Sequence, residues 1–493
     1  MTKWSTGCDR CRQKKVKVCE GSQCPGYSRS PFEIKDETAR TVQRIKEVSH
    51  AREEIIPVLH LPHHDMPEYV RHVHSLPPTM RIQMMNHGRE NLVIFMQHIR
   101  DLYMPDEPNV IKGTHFSYIP TIATIESSDP TLVAARDAFA VVQLGTSHKN
   151  QVLLAHSRQL YGDALAKIRD VLTNRTRLFP QVTLVAITLV GLCEFFTAIS
   201  QDGEGWNSHI TGASQLLASW GSFSLDTPLA RLVFNNLRNS IIIRGLITRQ
   251  AVLFDSPVWL DQATQSSTED PASSLNDIMV HIPALLEHSD RCLSKRDQQA
   301  ITETLHGAWS LKRRLKTWYN RIQRDFGDRT YNEVDVASLP RFCADVKSRI
   351  FPSVFNFTSF HSAYQHCMYW LSNFILSDND IRLIDACPPT DNFKPRLKKN
   401  QMKKERLQYV ILICQSLPFC AERSAASIGR IGVLCPLWFC QEFFRSEQSM
   451  AHLAWCREVY EVIVNAGLSA PSIPLPKYSG DTAQYRTRFG SRF

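Results

Sequence analysis

Four cysteines lie near the start of this chain. Cys8, Cys11, Cys19 and Cys24 fall within 17 positions, spaced C-x2-C-x7-C-x4-C. Two thiolates as close as Cys8 and Cys11 chelate one ion from adjacent turns, and four thiolates make the closed tetrahedral set of a structural zinc. The opening residues Met1-Thr2-Lys3-Trp4 carry no apolar run, so we expect an intracellular, reducing setting and a metal rather than a disulfide frame. A reduced tail without metal is the plain alternative. Between Cys11 and Cys19 stand Arg12, Lys14, Lys15 and Lys17. A helix pinned by metal at its start would present these cations to phosphates and guanine edges. Taken alone, such a run is a solvated face or an import signal.

The charge balance sharpens this. The chain has 493 residues and a formal charge of +9, but residues 1–30 contribute +5 and residues 394–406 contribute +6, leaving −2 on the rest. A nearly neutral body with two basic patches points to local partners, a phosphate backbone or an import receptor, rather than to a uniformly basic coat. The second patch, Lys394 to Arg406, is read evenly as import or phosphate contact and as the solvated start of a helix. Of 14 cysteines the other ten are scattered from Cys193 to Cys456, mostly in apolar runs, where the residue acts as a small buried hydrophobe.

The elements that must position such a head are helical. A hydrophobic content of 43% with 21% charged residues describes a globular chain with a sizeable core. Residues 1–27 form the cysteine-rich module and 28–80 a charged linker rich in Pro and His. Within that linker, Asp36 to Glu54 has helical spacing at Val42, Ile45 and Val48 but too little apolar surface to stand alone. His60, His63, His64, His72 and His74 are interleaved with prolines, so no pair is set on one helical face. Residues 81–470 repeat the 3.6-residue period, and 471–493 lose it. Helices are expected around Leu154–Leu172, Val182–Phe196, Ile210–Trp220, Leu305–Ile322, Phe357–Phe374 and Leu453–Val464. Val182–Phe196 is apolar all round and reads as a central core helix. Gln181–Cys193, the longest uncharged apolar stretch, falls short of the ~20 residues a bilayer needs, so no membrane partner is expected. Loops are expected at 261–277 and 377–400. The predicted fold class is all-α, with roughly a dozen or more helices following a small zinc module and a linker.

Gly7-Cys8-x-x-Cys11-Arg12-x-Lys14-Lys15-Val16-Lys17 resembles the opening of the fungal binuclear zinc cluster (Zn2Cys6) transcription factors. That resemblance implies a cluster in which six cysteines share two zinc ions, with a first helix that reads a CGG-type triplet in the major groove. Lys14 and Lys15 match the positions facing the base edges, and Arg12 and Lys17 the flanking cations. Cys24-Pro25-Gly26-Tyr27 resembles what surrounds the family's sixth cysteine. Further on, Trp206-x-x-His209-Ile210-x-Gly212-Ala213-Ser214-x-Leu216-Leu217 and Cys435-Pro436-Leu437-Trp438 resemble signatures of the family's helical regulatory domain. The chain departs from the pattern in its head. Val18 stands where the family places its third cysteine, Cys19 comes one position late, and the fourth and fifth cysteines are missing. Cys8, Cys11, Cys19 and Cys24 suffice for one zinc at most. A transcript read with an exon-boundary error and a degenerate paralogue would both leave this gap.

The resemblance implies a nuclear, zinc-dependent, sequence-specific DNA-binding regulator of RNA polymerase II transcription, with double-stranded DNA and the transcription machinery as partners and a possible homodimer through residues 36–54. The alternative is a regulatory interaction protein of the same family that does not bind DNA and works through its helices. An enzyme is not expected: the chain has no H-E-x-x-H, no G-x-S-x-G, no P-loop and no G-x-G-x-x-G after a strand. The glycines of Asp202-Gly203-Glu204-Gly205 are read as turn residues.

Overall fold

The computed structural model describes residues 129–147, 149–174, 180–196, 204–219, 228–266, 271–327, 330–387, 399–422 and 426–465. The cysteine module, the linker and the C-terminal tail lie outside them. Among the described residues the fold is all-α, as expected, with a single two-stranded ribbon.

Helices α1 (Pro130–Ser147) and α2 (Gln151–Thr173) form an antiparallel hairpin. Lys149 takes a left-handed φ of 50° in the connection, and the Asn150 side chain caps α2 by accepting from the amides of Val152 and Leu153 at 3.0 and 3.2 Å. Helix α3 (Pro180–Cys193) packs on both. Its Leu184, Val185, Ala186, Leu189 and Val190 are buried, so the expected core helix is there. Thr188 is buried too, and it satisfies its own hydroxyl by donating to the Leu184 carbonyl at 2.8 Å. Helices α4 (Glu204–Ser219) and α5 (Pro228–Thr248) continue the layer.

Of residues 261–277, expected to be a loop from their Ser, Thr and acid content, the described ones, 261–266 and 271–277, are helical. They enter α6 (Pro257–Ser266) and α7 (Pro271–Met279). Side chains from other helices absorb the polarity: Arg238 of α5 reaches Asp277 at 2.5 Å, and the indole N–H of Trp318 donates to Ser274 at 3.1 Å. Helix α8 (Ile282–Lys295) turns back through left-handed Arg296 into α9 (Gln298–Phe326), which Asp297 caps by accepting from the Ala300 amide at 3.0 Å. The 29 residues of α9 extend about 44 Å at 1.5 Å per residue, burying Ile301, Leu305, Ala308, Leu311, Leu315, Trp318 and Ile322 along one stripe. Gly327, at a φ of 51°, ends it.

The ribbon follows. Strand β1 (Tyr331–Asp335) pairs antiparallel with β2 (Ser353–Phe357), Tyr331 opposite Phe357, and the connection carries the short α10 (Pro340–Asp345). Phe357 therefore ends a strand instead of starting a helix. The helix, α11 (Phe360–Ala386), begins after Ser359, whose hydroxyl accepts from the Ser362 amide at 3.1 Å. It is buried on nearly every face and runs through Ser377 to Ala386, where a loop was expected. The acidic and amide residues of that stretch have partners: Asp378 pairs with Arg406 at 2.6 Å, Asp380 with Lys312 at 2.7 Å, and the Asn379 amide donates to Ser289 at 2.8 Å, whereas the Ser377 hydroxyl is buried without a partner. Residues of loop-forming type are held in a buried helix because other helices supply their counter-charges. Helices α12 (Lys399–Ala421), α13 (Ala426–Ser446) and α14 (Met450–Asn465) close the fold against α11 and one another.

Candidate functional site

The residues singled out for metal and DNA binding, Cys8, Cys11, Cys19, Cys24, Arg12, Lys14, Lys15 and Lys17, all lie outside the described residues. Among the described residues no group of three or more His, Cys, Asp or Glu is arranged to hold a metal ion. No helix among them is long and apolar enough to cross a membrane. Of the ten cysteines in the body, all but half-buried Cys343 are buried.

The second basic patch divides into two kinds of cation. Lys399 pairs with Asp385. Arg406 is bound by Asp378 at 2.6 Å and by Glu447, with its guanidinium 5.0 Å from the Phe443 ring centre. These two charges are spent inside the fold. Lys403 and Lys404, between them on α12, are exposed. The described part of the patch, 399–406, is thus the start of a helix throughout, with two of its four cations paired and two exposed.

The two helical motifs come together in space. Trp206 and Ile210 of α4 and Cys435 of α13 line one cavity, along with Thr188 and Leu192 of α3, Phe195 just after it, Asn236, Ser240 and Ile243 of α5, Tyr364 of α11, and Ile431 and Gly432 of α13. The cavity itself is small, about 40 Å³. Trp206 packs edge-on against Phe195, with ring centres 6.0 Å apart. Across the cavity the Asn239 amide donates to the Tyr364 hydroxyl at 2.8 Å and fixes the ring's orientation. Gly432 is glycine for a steric reason: a Cβ there would come within 2.7 Å of the Phe360 ring and 3.1 Å of Tyr364. Pro436 of the second motif stands inside α13, so that motif is a helical segment and not a turn.

The histidine of the first motif turns to a different neighbour. His209 Nε2 lies 3.0 Å from the Tyr161 hydroxyl of α2, and that hydroxyl also donates to the buried carboxylate of Glu194. Burial lowers the His209 pKa to about 4, so the ring is neutral near pH 7 and serves the phenol oxygen as an N–H donor. Burial first, and then the Glu194 charge, drive Tyr161 well above the usual phenol range. The cluster ties α2, the end of α3 and α4 together directly behind Trp206. It also accounts for two glycines. A Cβ on Gly205 would fall 2.4 Å from the Glu194 carboxylate, and one on Gly191 would fall 3.2 Å from His209 Cβ. Gly205 is therefore a helix residue that makes room for Glu194, not the turn residue that its neighbours suggest.

Sequence reading missed Thr188, Asn236, Ser240 and Tyr364 as cavity residues. One signal was available for Thr188, a hydroxyl interrupting an otherwise apolar helix; the others carry no mark that distinguishes them from polar residues on a solvated face.

Residues 109–327 match the family described as the fungal specific transcription factor domain. An uncharacterized protein of Emericella nidulans is 24% identical over 175 residues, 33% of this chain and 37% of that protein. The match therefore spans little more than a third of the relative's length. No solved structure matches the chain. The cavity is lined from within the matched stretch and from beyond it: α3, α4 and α5 fall inside, whereas Tyr364, Ile431, Gly432 and Cys435 lie past its end.

Proposed function

We propose that this chain is a nuclear regulator of transcription that binds DNA through its N-terminal cysteine module and is controlled through its helical body. The observation that carries the reading is the match of residues 109–327 to the fungal specific transcription factor domain. It agrees with the independent resemblance of Gly7 to Lys17 to the opening of a zinc-cluster DNA-binding head. The donor set fits a metal by its chemistry, since Cys8, Cys11, Cys19 and Cys24 are four thiols of the kind that close a tetrahedral zinc site. Zinc bound there would supply folding energy to a segment too short to fold by a hydrophobic core. Arg12 and Lys17 would hold the phosphate backbone, and Lys14 and Lys15 would meet the guanine edges of a CGG-type half-site. The body would bring the transcription machinery to that site, on one chain or on a homodimer.

A second reading is favoured by one observation, the missing fourth and fifth cysteines. In it the protein works through its helices and binds no DNA. Two measurements on the full chain separate the readings. One is zinc per chain by metal analysis. The other is a gel shift on duplexes with and without CGG. One zinc per chain with CGG-dependent binding, weakened by Lys14→Ala and Lys15→Ala, supports the first. Absence of DNA binding with metal present overturns it.

A further inference from the structure

We propose that the exposed face of α9 from Arg313 to Arg324 binds the phosphate backbone of duplex DNA, as a second contact beside the one proposed for the N-terminal module. Counting charge over long segments hides this face. Residues 312–324 hold six Lys or Arg and no acid, a net +6 that equals the patch at 394–406. The helix decides which of these cations are available. Lys312 turns inward to Asp380 at 2.7 Å, with its side chain only 20% exposed. Arg313, Arg314, Lys316, Arg321 and Arg324 are exposed. At about 100° per residue they fall on the arc opposite the buried stripe of Leu311, Leu315, Trp318 and Ile322.

Little of that charge is spent within the fold. Arg321 and Arg324 share one carboxylate, Asp325, at 3.5 and 3.0 Å, and their side chains stay 52% and 75% exposed. Arg314 donates to the Asp277 carbonyl at 3.0 Å, a neutral acceptor that leaves its charge in place. Arg313 and Lys316 have no ion pair among the described residues. Five cations thus stand against one carboxylate along about 17 Å of helix, at 1.5 Å per residue. Duplex DNA carries one phosphate charge per about 1.7 Å of its axis, so a row of this length faces several phosphates of one strand at once. The residues between the cations select the partner. Exposed Thr317 and Asn320 are of the types that hydrogen-bond phosphate oxygens. Every exposed residue from Arg313 to Arg324 is polar. A protein interface needs aromatic or aliphatic anchors at its centre, and a membrane surface needs apolar side chains to insert, so DNA is the polyanion that fits.

This contact rests on the reading of the chain as a DNA-binding regulator but makes no use of the cysteine module, so it is tested with that module disarmed. The full chain carrying Lys14→Ala and Lys15→Ala is titrated into a fluorescent duplex of about 30 base pairs that lacks CGG, and anisotropy is read at about 50 to 200 mM salt. CGG-dependent binding by the wild-type chain reports on the module, whereas this binding reports on α9, and either can fail alone. Salt-dependent binding is expected. Adding Arg313→Ala and Lys316→Ala, which break no ion pair, should weaken it at least about tenfold near 100 mM salt and flatten the log–log salt slope by about 2, because each phosphate contact contributes about 0.9. Arg313→Gln with Lys316→Gln should give the same loss while keeping long side chains on the helix, and Arg313→Lys with Lys316→Arg should keep the binding. Removing Lys167 of α2 and Arg457 of α14, two exposed cations elsewhere, should leave the slope unchanged. Absence of binding at the lowest salt overturns the proposal. So do an unchanged slope in the Arg313 and Lys316 variants and an equal loss in the Lys167 and Arg457 control. Polyglutamate or phosphatidylserine vesicles that bind more tightly than the duplex, through the same two residues, overturn the assignment to DNA.

Discussion

The Tyr161 hydroxyl lies 3.0 Å from Nε2 of His209 and donates to Glu194, so one phenol joins two helices and the end of a third. All three members are polar in the interior of an apolar layer, and the phenol oxygen is the atom they share. Removing the hydroxyl takes one donor from the buried Glu194 carboxylate and the partner from His209 Nε2. Tyr161→Phe is expected to cost about 1–3 kcal/mol in denaturant unfolding, with the fold retained. Gly205→Ala should destabilise by a similar amount, about 1–3 kcal/mol, because its new Cβ meets the Glu194 carboxylate. If both variants unfold at the wild-type midpoint, the cluster has no structural role.

Acid should weaken the fold well above the range where exposed carboxylates titrate. Burial lowers the pKa of His209, His361 and His366 from 6.5 to about 4 each. Between those values the unfolded chain binds protons that the folded chain refuses, so stability falls as pH drops from about 6.5 towards 4. The slope is up to about 1.4 kcal/mol per pH unit for each histidine. Asp137 opposes part of this, because burial raises its pKa to about 6 despite the nearby Arg136 charge. The folded state then holds a proton that the unfolded state has lost. The net expectation is a steep loss below pH 6, read from urea midpoints at pH 7.5, 5.5 and 4.5.

His366 offers a single-site check of that slope. Its Nδ1 lies 2.8 Å from the Ser362 carbonyl and its Nε2 is buried without a partner. The rings of Tyr319, Tyr331, Phe357 and Trp370 surround it. A second N–H on this ring would have no acceptor. His366→Gln should flatten the pH dependence by up to one proton's worth, whatever it does to stability at pH 7.5.

Metal removal should divide the protein functionally. Among the described residues no metal-holding group exists, so chelation is expected to leave the helical signal and thermal midpoint of the body unchanged. DNA binding, if carried by Cys8 to Cys24, should disappear with the zinc. A body that melts on chelation would contradict this division.

Within the second basic patch, Arg406 and the Lys403–Lys404 pair should behave oppositely. Arg406→Ala breaks two ion pairs and a ring contact and is expected to cost about 1–3 kcal/mol. Lysine cannot restore the forked contact, so Arg406→Lys should recover only part of the loss. Replacing exposed Lys403 and Lys404 by alanine should leave the unfolding midpoint where it was. Nuclear import, if it depends on these lysines together with Lys14 and Lys15, should fail only when both sets are removed; a protein that stays nuclear without all four rules out that address.

What the sequence determined by itself was whatever depends on local period and spacing. The long amphipathic stripe of α9, the apolar α3 and the scarcity of strands among the described residues follow from repeats of three and four residues. The cysteine spacing and its shortfall are equally local facts. Tertiary structure decided what depends on partners far along the chain. Ser377 to Ala386 and the segment around Asp277 have loop composition, and they are helical because Arg406, Lys312, Ser289 and Arg238 arrive from other helices to satisfy them. Gly205 looked like a turn and is a helix residue that makes room for a carboxylate. The cavity could not be read at all from one dimension. Trp206 and Cys435 belong to separate motifs, and only the packing of α4 and α13 around α3, α5 and α11 turns them into walls of one site. Period is encoded in neighbouring residues, but a cavity is encoded in which helices meet, and that is settled by burial of the whole core.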